Sequence, residues 1–458
     1  MIDLRSLPSR PWAVLGLGAS GRAAALALLA AGHEVWAWDD GERARAVAAA
    51  AGIPLTDLAG RDLSESAALV LSPGIPHTHP QPHPVAAHAR AAGIEIIGDV
   101  ELLFRAHPDG RYVGISGTNG KSTTTALIGH IFATAGLDVR VGGNLGPPVL
   151  AFDPPNTTTI CVLEMSSYQL ELTPSLVFNA AVMLNISPDH LGRHGGMEGY
   201  IAAKQRIFQG ARPGATAIVG VDDEHSRAMC TALGSEHSRR LLVISGRRRV
   251  GGGVFVADGW LWDAIEGEPK EIADLREARA LPGEHNGQNA AAAYAAARSL
   301  GVPAATAAAA ILDFPGLPHR QERIAVIDGV TYVNDSKATN GDAATRALAS
   351  YDCVYWIAGG RPKEDGLAAT LPWLTRVRKA FLIGEAEEAF AGELAGKVDV
   401  VRCGTLAAAF AAARTAAEAE AGQRPVVLLS PACASFDQFP NFEARGDAFR
   451  ALVREIVR

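Results

Sequence analysis

A short apolar strand, a glycine turn and an alanine-rich helix recur three times in the chain, near Gly16, Gly117 and Gly359. Strands that alternate with helices in this way are typical of α/β layers with mostly parallel sheets. The 458 residues exceed one ordinary core, and about 150 residues per domain gives three domains. Turn signals at Gly98 and Gly316 place the boundaries, so the prediction is an α/β protein with domains 1–98, 99–315 and 316–458.

Strands are predicted at WAVLGL, TTTICVLE, NAAVMLNI, CVYWIAG, AFLIGE and PVVLLSP. The stretches NAAAAYAAARSL and LAAAFAAARTAAEAEAG resemble low-complexity sequence. Because alanine is the best helix former and larger residues return at intervals, helix is favoured over disorder.

Composition excludes several classes of protein. Lys and Arg total 42 against 49 Asp and Glu, so the net charge of -7 does not support a nucleic-acid surface. The five cysteines are scattered without a C-x-x-C pair, which argues against a disulfide framework or zinc site and favours a reducing compartment. No apolar run reaches the ~18 residues of a membrane span, and MIDLRSLPSR lacks a signal-peptide core. The expectation is a cytoplasmic protein with no nucleic-acid or membrane partner.

The first glycine turn, GLGASG from Gly16 to Gly21, follows an apolar strand and precedes a helix. Such glycines let backbone N–H groups approach a diphosphate at the helix N-terminus. Asp39, which is eighteen residues beyond Gly21, ends the next strand, where a carboxylate can bind a ribose hydroxyl. The residues alone favour NAD, and the alternative is a glycine turn that only packs strand against helix.

The second turn, in YVGISGTNGKSTTT, nearly fits a phosphate-binding loop. The strict pattern needs glycine five positions before Gly120, where the chain has Ile115. Strand, loop and helix nevertheless follow in the right order, so Lys121 would meet the β and γ phosphates and Ser122 a magnesium ion. The alternative is a glycine-rich turn with an exposed lysine.

Two further residues follow predicted parallel strands. Glu164 closes TTTICVLE, and His190 lies just beyond NAAVMLNI. The carboxyl ends of such strands bind ligands in open α/β sheets, and these side chains suit magnesium ligation. Taken singly, Glu164 could be a helix cap and His190 a surface residue.

Together these motifs identify a resemblance that runs nearly end to end: the chain resembles the Mur ligases, and among them the branch that adds D-glutamate. The family carries G-T-N-G-K-[ST] in place of the strict loop. Further matching segments are GGNLG, EMSSYQLE, NISPDHLGRHG, KQRIF, EHNGQNAAAA, LPHRQE, NDSKATN and SPACASFDQFPNFEARG.

The resemblance implies a Rossmann-like N-terminal domain for the UDP substrate, a central P-loop-type ATPase domain, and a Rossmann-like C-terminal domain for the amino acid. It replaces NAD at GLGASG by uridine diphosphate. The implied enzyme is a monomer that uses ATP and two Mg2+ ions to join D-glutamate to UDP-N-acetylmuramoyl-L-alanine through an acyl phosphate, in cytoplasmic peptidoglycan precursor synthesis.

The same resemblance implies the site residues. Catalytic roles fall to Lys121, Glu164, His190 and Lys204, with Lys204 carbamylated although its sequence context is that of a surface lysine; the metal ligands are Ser122, Glu164, His190 and Lys204. The ATP contacts are Gly117, Thr118, Asn119, Gly120, Lys121, Ser122, Thr123, Thr124, Asn289, Arg320, Asp335 and Lys337. The UDP-substrate contacts are Ala19, Ser20, Gly21, Asp39, Gly74, Ile75, Asn144, Ser166, Gln169 and His190. The D-glutamate contacts are Thr339, Lys363, Ser435, Phe436 and Phe442.

Two other classes of protein remain as alternatives. A nicotinamide oxidoreductase would use GLGASG but leave GTNGKST, Glu164 and His190 without a role. A regulatory ATPase would hydrolyse ATP without an amino-acid acceptor, and the segments KATN and SPACASFDQF argue against it.

Overall fold

A computed structural model describes residues 1–210, 212–236, 239–362 and 366–456. The chain divides into two compact units. The first comprises Met1–Glu277 and His285–Asp313, and the second comprises Ala278–Glu284 and Phe314–Arg458. In the described residues, no helix is both long and apolar enough to cross a membrane.

The first unit begins with a four-stranded parallel sheet in the order β2-β1-β3-β4. Its strands are β1 (Trp12–Leu15), β2 (Val35–Trp38), β3 (Leu69–Leu71) and β4 (Ile96–Ile97), and its helices are α1 (Ala19–Ala30), α2 (Glu42–Ala50), α3 (Pro84–Ala91) and α4 (Asp99–Ala106). The turn from β1 to α1 requires glycine, because Gly16 has φ +89° and a Cβ on Gly21 would lie 1.8 Å from the Gly16 carbonyl oxygen.

A nine-stranded sheet follows, in the order β13-β12-β11-β10-β9-β8-β5-β7-β6, in which only the β11–β12 and β12–β13 pairs are antiparallel. The strands are β5 (Arg111–Ser116), β6 (Val139–Gly143), β7 (Ile160–Glu164), β8 (Ala180–Met183), β9 (Thr216–Gly220), β10 (Arg240–Ser245), β11 (Gly253–Ala257), β12 (Trp260–Ala264) and β13 (Lys270–Asp274). The helices are α5 (Lys121–Thr134), α6 (Ser167–Glu171), α7 (Leu191–His194), α8 (Met197–Gln205), α9 (Glu224–Gly234), α10 (His285–Ser299) and α11 (Ala304–Leu312). Strand β5 lies between β7 and β8, so the segments that follow these three strands meet at one edge.

The two sheets of the first unit share one hydrophobic cluster. Ile2 and Leu28 belong to the same cluster as Leu150 and Phe178. The backbone N–H of Ile2 donates to the carbonyl oxygen of Leu150 at 3.2 Å. A continuous core of this kind joins residues on both sides of Gly98.

The second unit contains a six-stranded sheet in the order β14-β15-β19-β16-β17-β18, with β14 antiparallel to β15 and the other pairs parallel. The strands are β14 (Glu322–Ile327), β15 (Val330–Asn334), β16 (Val354–Gly359), β17 (Val377–Ile383), β18 (Asp399–Gly404) and β19 (Val426–Leu429). The helices are α12 (Gly341–Ser350), α13 (Glu387–Leu394), α14 (Leu406–Glu418) and α15 (Phe442–Ile456).

The predicted α/β fold class is confirmed, with a separate sheet for each recurrence of strand, glycine turn and helix. All six predicted strands are present, and both alanine-rich stretches are helices, α10 and α14. In α10 every residue from Asn286 to Ala297 is buried, which explains a surface of small side chains. The boundary expected near Gly98 lies inside the first unit and the one near Gly316 lies close to the change of unit at Phe314; the division into three domains stays a prediction.

Candidate active site

The phosphate loop connects β5 to α5 through Gly117 and Gly120, whose φ angles are +150° and +86°. A Cβ on Gly120 would lie 2.2 Å from Asn289 Oδ1, so the tight approach of the loop to α10 needs glycine there. The loop leads into the N-terminus of α5, where backbone N–H groups and the helix dipole favour an anion. Lys121 Nζ donates to the carbonyl oxygens of Gly117 and Thr118, both at 2.8 Å, so its amine lies over the loop.

Glu164 ends β7, and the pairing of β5 with β7 sets it opposite Ile115, two residues before Gly117. The side chain is buried, and its Oε1 accepts from Asn144 Nδ2 at 2.7 Å. Its Oε2 is buried and has no hydrogen-bond partner among the described residues. A buried carboxylate oxygen left in this way is costly, and a hard cation such as magnesium would satisfy it.

Lys204, on α8, is 1% exposed rather than a surface lysine. Its Nζ donates to the Gly117 carbonyl oxygen at 2.8 Å and lies 4.9 Å from the ring centroid of Tyr200. Burial lowers the pKa of Lys204 well below its usual value, and the nearby charge of Lys121 lowers it further. The side chain therefore loses its proton far more readily than an exposed lysine.

His190 precedes α7 in a left-handed conformation with φ 51°. Its side chain is 53% exposed, its Nε2 lies 3.5 Å from Asp189 Oδ2, and its ring centroid lies 5.2 Å from that of Tyr168. Partial burial lowers the pKa of His190, which favours the neutral imidazole that metals bind. In the described part of the chain no three His, Cys, Asp or Glu residues form a metal-binding group. A cation beside Glu164 would therefore need donors of another kind, such as hydroxyl or phosphate oxygens.

The predicted UDP contacts near α1 surround the first glycine turn. The Asp39 carboxylate accepts from the backbone N–H groups of Leu17 at 2.6 Å and Gly41 at 2.7 Å, which binds the end of β2 to the turn after β1. The carboxyl of Asp99 is buried, and burial raises its pKa, which Ser20, beside Ala19 at the start of α1, partly offsets. These contacts fix the shape of the turn before any ligand is considered.

Ser166 and Gln169 form a capping box at the start of α6. Ser166 Oγ accepts from the Gln169 backbone N–H at 3.2 Å, and Gln169 Oε1 accepts from the Ser166 N–H at 3.0 Å. Both predicted substrate residues therefore also stabilise the helix that follows β7.

The sequence interpretation assigned no role to a set of contacts between α6, α7 and the loop after β3. Glu171 accepts from His194 at 3.1 Å and from His77 at 3.3 Å. Burial alone would raise the pKa of Glu171, but these two hydrogen bonds more than offset it and lower the pKa to about 2. Arg193 Nη2 donates to the carbonyl oxygen of Ile75 at 3.1 Å, so the loop of Gly74 and Ile75 is attached to the helix after His190. Arg193 and His194 belong to the motif NISPDHLGRHG, which the sequence interpretation did single out. Their contacts could not be predicted, because the residues they contact are distant in sequence.

Asn289 faces the loop from α10. Its Oδ1 accepts from Thr124 Oγ1 at 3.2 Å, and its Nδ2 donates to Asn286 Oδ1 at 2.9 Å. Ser122 and Thr123 are buried in the first turn of α5. The first unit thus brings together the loop, Lys121, Lys204 and Asn289.

In the second unit, Asp335 follows β15 with its carboxylate buried. Its Oδ1 accepts from the Gln321 N–H at 3.1 Å and its Oδ2 from Ser430 Oγ at 2.7 Å, and burial raises its pKa to about 6. Lys337 Nζ lies 5.5 Å from the ring centroid of Phe442. Arg320 precedes β14 and its N–H donates to Leu317 O at 3.3 Å.

Of the predicted D-glutamate contacts, Ser435 is buried, whereas Phe436 is 64% exposed. The N–H of Thr339 donates to the carbonyl oxygen of Lys337 at 2.9 Å, and Phe442 is the first residue of α15. Lys363 lies outside the described residues.

Comparison with known proteins identifies the class of this site. A profile of the Mur ligase middle domain matches residues 115–297, which include the phosphate loop, Glu164 and Lys204. The fold resembles the UDP-N-acetylmuramate–alanine ligase of Thermotoga maritima, with a TM-score of 0.59, 15% identity and coverage of 98% of this chain and 100% of that chain. It also resembles MurF of Acinetobacter baumannii, with a TM-score of 0.56, 18% identity and coverage of 79% and 82%. The chain therefore has the fold of a Mur ligase.

Sequence identity narrows the class to one branch. The chain is 53% identical over 463 residues to the UDP-N-acetylmuramoylalanine–D-glutamate ligase of Rhodospirillum rubrum, covering 100% of this chain and 97% of that protein. It is 51% identical to the ligase of the same name from Caulobacter vibrioides, covering 100% and 98%. The chain therefore belongs to the UDP-N-acetylmuramoylalanine–D-glutamate ligase family, which confirms the predicted resemblance and makes it an ATP-dependent ligase.

Proposed function

We propose that the chain joins D-glutamate to UDP-N-acetylmuramoyl-L-alanine at the expense of ATP, in cytoplasmic peptidoglycan precursor synthesis and as a monomer. The observation that carries this proposal is the convergence of Lys121 and Lys204 on the carbonyl oxygen of Gly117, beside the unpartnered oxygen of Glu164. Such an arrangement suits phosphoryl transfer, which depends mainly on positioning and charge stabilisation. The relatives that share half of the residues carry the name of this reaction.

The chemistry proceeds in two steps. The terminal carboxylate of the alanyl substrate attacks the γ-phosphorus of ATP, which gives an acyl phosphate and ADP. The amine of D-glutamate then attacks the acyl carbon, loses a proton and displaces inorganic phosphate to leave an amide. The first step brings two anions together, so the ammonium group of Lys121 must leave its carbonyl acceptors and contact the phosphate oxygens.

Glu164, Ser122, His190 and a carbamylated Lys204 would hold two magnesium ions. The buried Oε2 of Glu164 supports one position, because it needs an electropositive partner. Lys204 supports the other, because carbon dioxide reacts with a neutral amine, and the resulting carbamate is an oxygen ligand that replaces a buried cation. Bound magnesium would neutralise the charge that develops on the phosphoryl group.

The remaining predicted contacts complete the proposal. The turn at Ala19, Ser20 and Gly21 would hold the diphosphate at the N-terminus of α1, and Asp39 would hold the nucleoside. Further UDP-substrate contacts are Gly74, Ile75, Asn144, Ser166, Gln169 and His190, and the ATP contacts outside the phosphate loop are Asn289, Arg320, Asp335 and Lys337. Thr339, Lys363, Ser435, Phe436 and Phe442 would bind D-glutamate.

Phosphate release tests this function. Protein with ATP, magnesium and UDP-N-acetylmuramoyl-L-alanine is assayed with a panel of D-glutamate, L-glutamate, meso-diaminopimelate and L-lysine. We expect release only when D-glutamate and the UDP substrate are both present. Comparable turnover with another amino acid would contradict the acceptor, and steady hydrolysis without any acceptor would favour a regulatory ATPase.

A further inference from the structure

Asn185, two residues beyond the end of β8, forms hydrogen bonds to the phosphate loop through both its backbone and its side chain. Its carbonyl oxygen accepts from the Thr118 N–H at 2.8 Å, and its Oδ1 accepts from the Asn119 N–H at 2.9 Å. Its Nδ2 donates to the carbonyl oxygen of Asn119 at 3.2 Å. Since an asparagine amide accepts at one end and donates at the other, this pairing holds Asn119 from both sides.

Two further residues fix the orientation of that amide. Asn185 Nδ2 also donates to Gln288 Oε1 at 2.9 Å, and Gln288 Nε2 donates to Asp222 Oδ2 at 3.0 Å. Asp222 also accepts from Ser245 Oγ at 2.6 Å and from the Gly246 N–H at 2.8 Å. Because a carboxylate only accepts, Asp222 sets the direction of both amides and leaves Asn185 Oδ1 facing the phosphate loop.

Close packing fixes the position of Gln288, the middle residue in the series of hydrogen bonds that runs from Asp222 through Gln288 to Asn185. A Cβ on Gly220 would lie 1.9 Å from the Leu184 carbonyl oxygen and 2.8 Å from Gln288 Nε2. A Cβ on Gly246 would lie 2.8 Å from the backbone nitrogen of Gln288. The two glycines therefore bring β9 and the turn after β10 against the first turn of α10, where Gln288 is 6% exposed. Buried hydrogen-bonded side chains of this kind favour one arrangement.

We propose that Asp222 is a positioning residue for nucleotide binding, acting through Gln288 and Asn185 on the backbone of the phosphate loop at Asn119. The inference rests on the proposed ATP site and adds three residues to it. The peptide groups that follow Asn119 enter the N-terminus of α5, where a phosphate binds. If the side-chain amide of Gln288 or Asn185 rotated by 180°, the wrong atom of Asn185 would face Asn119. The peptide groups after Asn119 would then rotate away from the phosphate.

The first test is Gln288→Leu, which keeps a side chain of similar size but removes both hydrogen bonds. Calorimetry measures the Kd of the full-length variant for ATP and for UDP-N-acetylmuramoyl-L-alanine. We expect the Kd for ATP to rise about tenfold, with the Kd for the UDP substrate within about twofold of wild type. Ser245→Ala is the matched control, because Ser245 contacts Asp222 outside the series, and it should leave both values within about twofold.

A pair of variants at Asp222 separates hydrogen bonding from charge. The Ser245 oxygen already accepts from the N–H groups of Arg247 at 3.1 Å and Arg248 at 2.9 Å, so it does not also accept from a new amino group. Asp222→Asn can nevertheless keep an oxygen towards Gln288 and lose only the Ser245 contact, which Ser245→Ala removes as well. Asp222→Leu cannot. We therefore expect near wild-type ATP affinity for Asp222→Asn and a loss like that of Gln288→Leu for Asp222→Leu. Equal losses for both variants would overturn the proposal, and this comparison decides the matter if Gln288→Leu fails to fold.

The double variant Asp222→Leu with Gln288→Leu tests whether the two residues act in series. Its affinity for ATP should be no lower than that of whichever single variant binds ATP less tightly, because either change interrupts the same series of hydrogen bonds. Additive losses, or equal losses for ATP and the UDP substrate, would show separate structural effects and refute the inference. Wild-type ATP affinity in Gln288→Leu would also refute it. Wild-type protein that binds no ATP would instead refute the proposed function.

Discussion

Lys121 and Lys204 donate to the same carbonyl oxygen, that of Gly117, each at 2.8 Å. Two ammonium groups on one acceptor repel each other, and the buried one also lacks solvation. The pKa of Lys204 is therefore lowered, by burial first and by the charge of Lys121 second. The geometry thus separates two lysines that share one acceptor, Lys121 at the start of α5 and Lys204 on α8, into a partly exposed cation and a buried amine that is ready to react.

Lys121→Ala should lower turnover by roughly 100-fold or more, as the loss of one preorganised charge contact does in other transition states. Binding of UDP-N-acetylmuramoyl-L-alanine should persist, because the predicted contacts for that substrate are on other segments. Steady-state kinetics and calorimetry measure the two effects, with the exposed Lys270→Ala as control. Turnover within about threefold of wild type, less than about 1 kcal/mol, would remove Lys121 from phosphoryl transfer.

Lys204→Ala should nearly abolish ligation, because it removes the proposed carbamate ligand. A small carboxylate such as acetate can occupy the vacated space and should restore part of the activity, whereas methylamine should not. Carbon-13 bicarbonate gives a second readout: wild type should show a carbamate NMR signal that Lys204→Ala lacks and Lys121→Ala retains. Near wild-type turnover of the variant, or rescue by methylamine alone, would contradict the carbamate role.

Glu164→Gln should raise the magnesium concentration needed for half-maximal activity by about tenfold, equivalent to about 1.4 kcal/mol. The substitution keeps an oxygen for Asn144 Nδ2 but replaces the unpartnered oxygen with an amino group that repels a cation. Magnesium titrations at saturating ATP measure the shift, and exposed Glu277→Gln is the control. An unchanged magnesium dependence would exclude Glu164 as a ligand.

Asp335 predicts a dependence of stability on pH. Burial raises its pKa to about 6, above the value of about 3.9 in an unfolded chain. The folded state therefore binds this proton more tightly, so its stabilising effect is full below about pH 4 and is lost as the pH rises to about 6. Asp335→Asn can keep both partners without the buried charge.

We therefore expect Asp335→Asn to be more stable than wild type at pH 7.5, by up to about 3 kcal/mol, and to approach it near pH 4. Urea denaturation at the two pH values measures the difference in the free energy of unfolding. The exposed Asp399→Asn is the control, because its side chain is not enclosed in this way. A difference that is the same at both pH values would show that ionisation of Asp335 is not its source.

Local patterns predicted the fold well because strand, glycine turn and helix are each encoded over a few residues. The same logic pointed to Lys121 and Glu164, since Glu164 ends one parallel strand and Lys121 begins the helix that follows another. Lys204 was different: only the family resemblance marked it, because a lysine in a short helix gives no sign of burial. Contacts between distant segments were also invisible; Gln288 and Asp222 are 66 residues apart, and spacing within one element does not say which strand a helix will face.

The hydrophobic cluster that Ile2 and Leu28 share with Leu150 and Phe178 has a practical consequence for inhibitor discovery. A recombinant fragment ending near Gly98 would expose apolar side chains that are buried in the intact chain, and it would tend to aggregate rather than bind ligands. Small-molecule screening against the proposed UDP site therefore needs the central sheet in the same polypeptide. Substitutions in this shared core would destabilise both sheets at once, so they are a poor route to resistance against such an inhibitor.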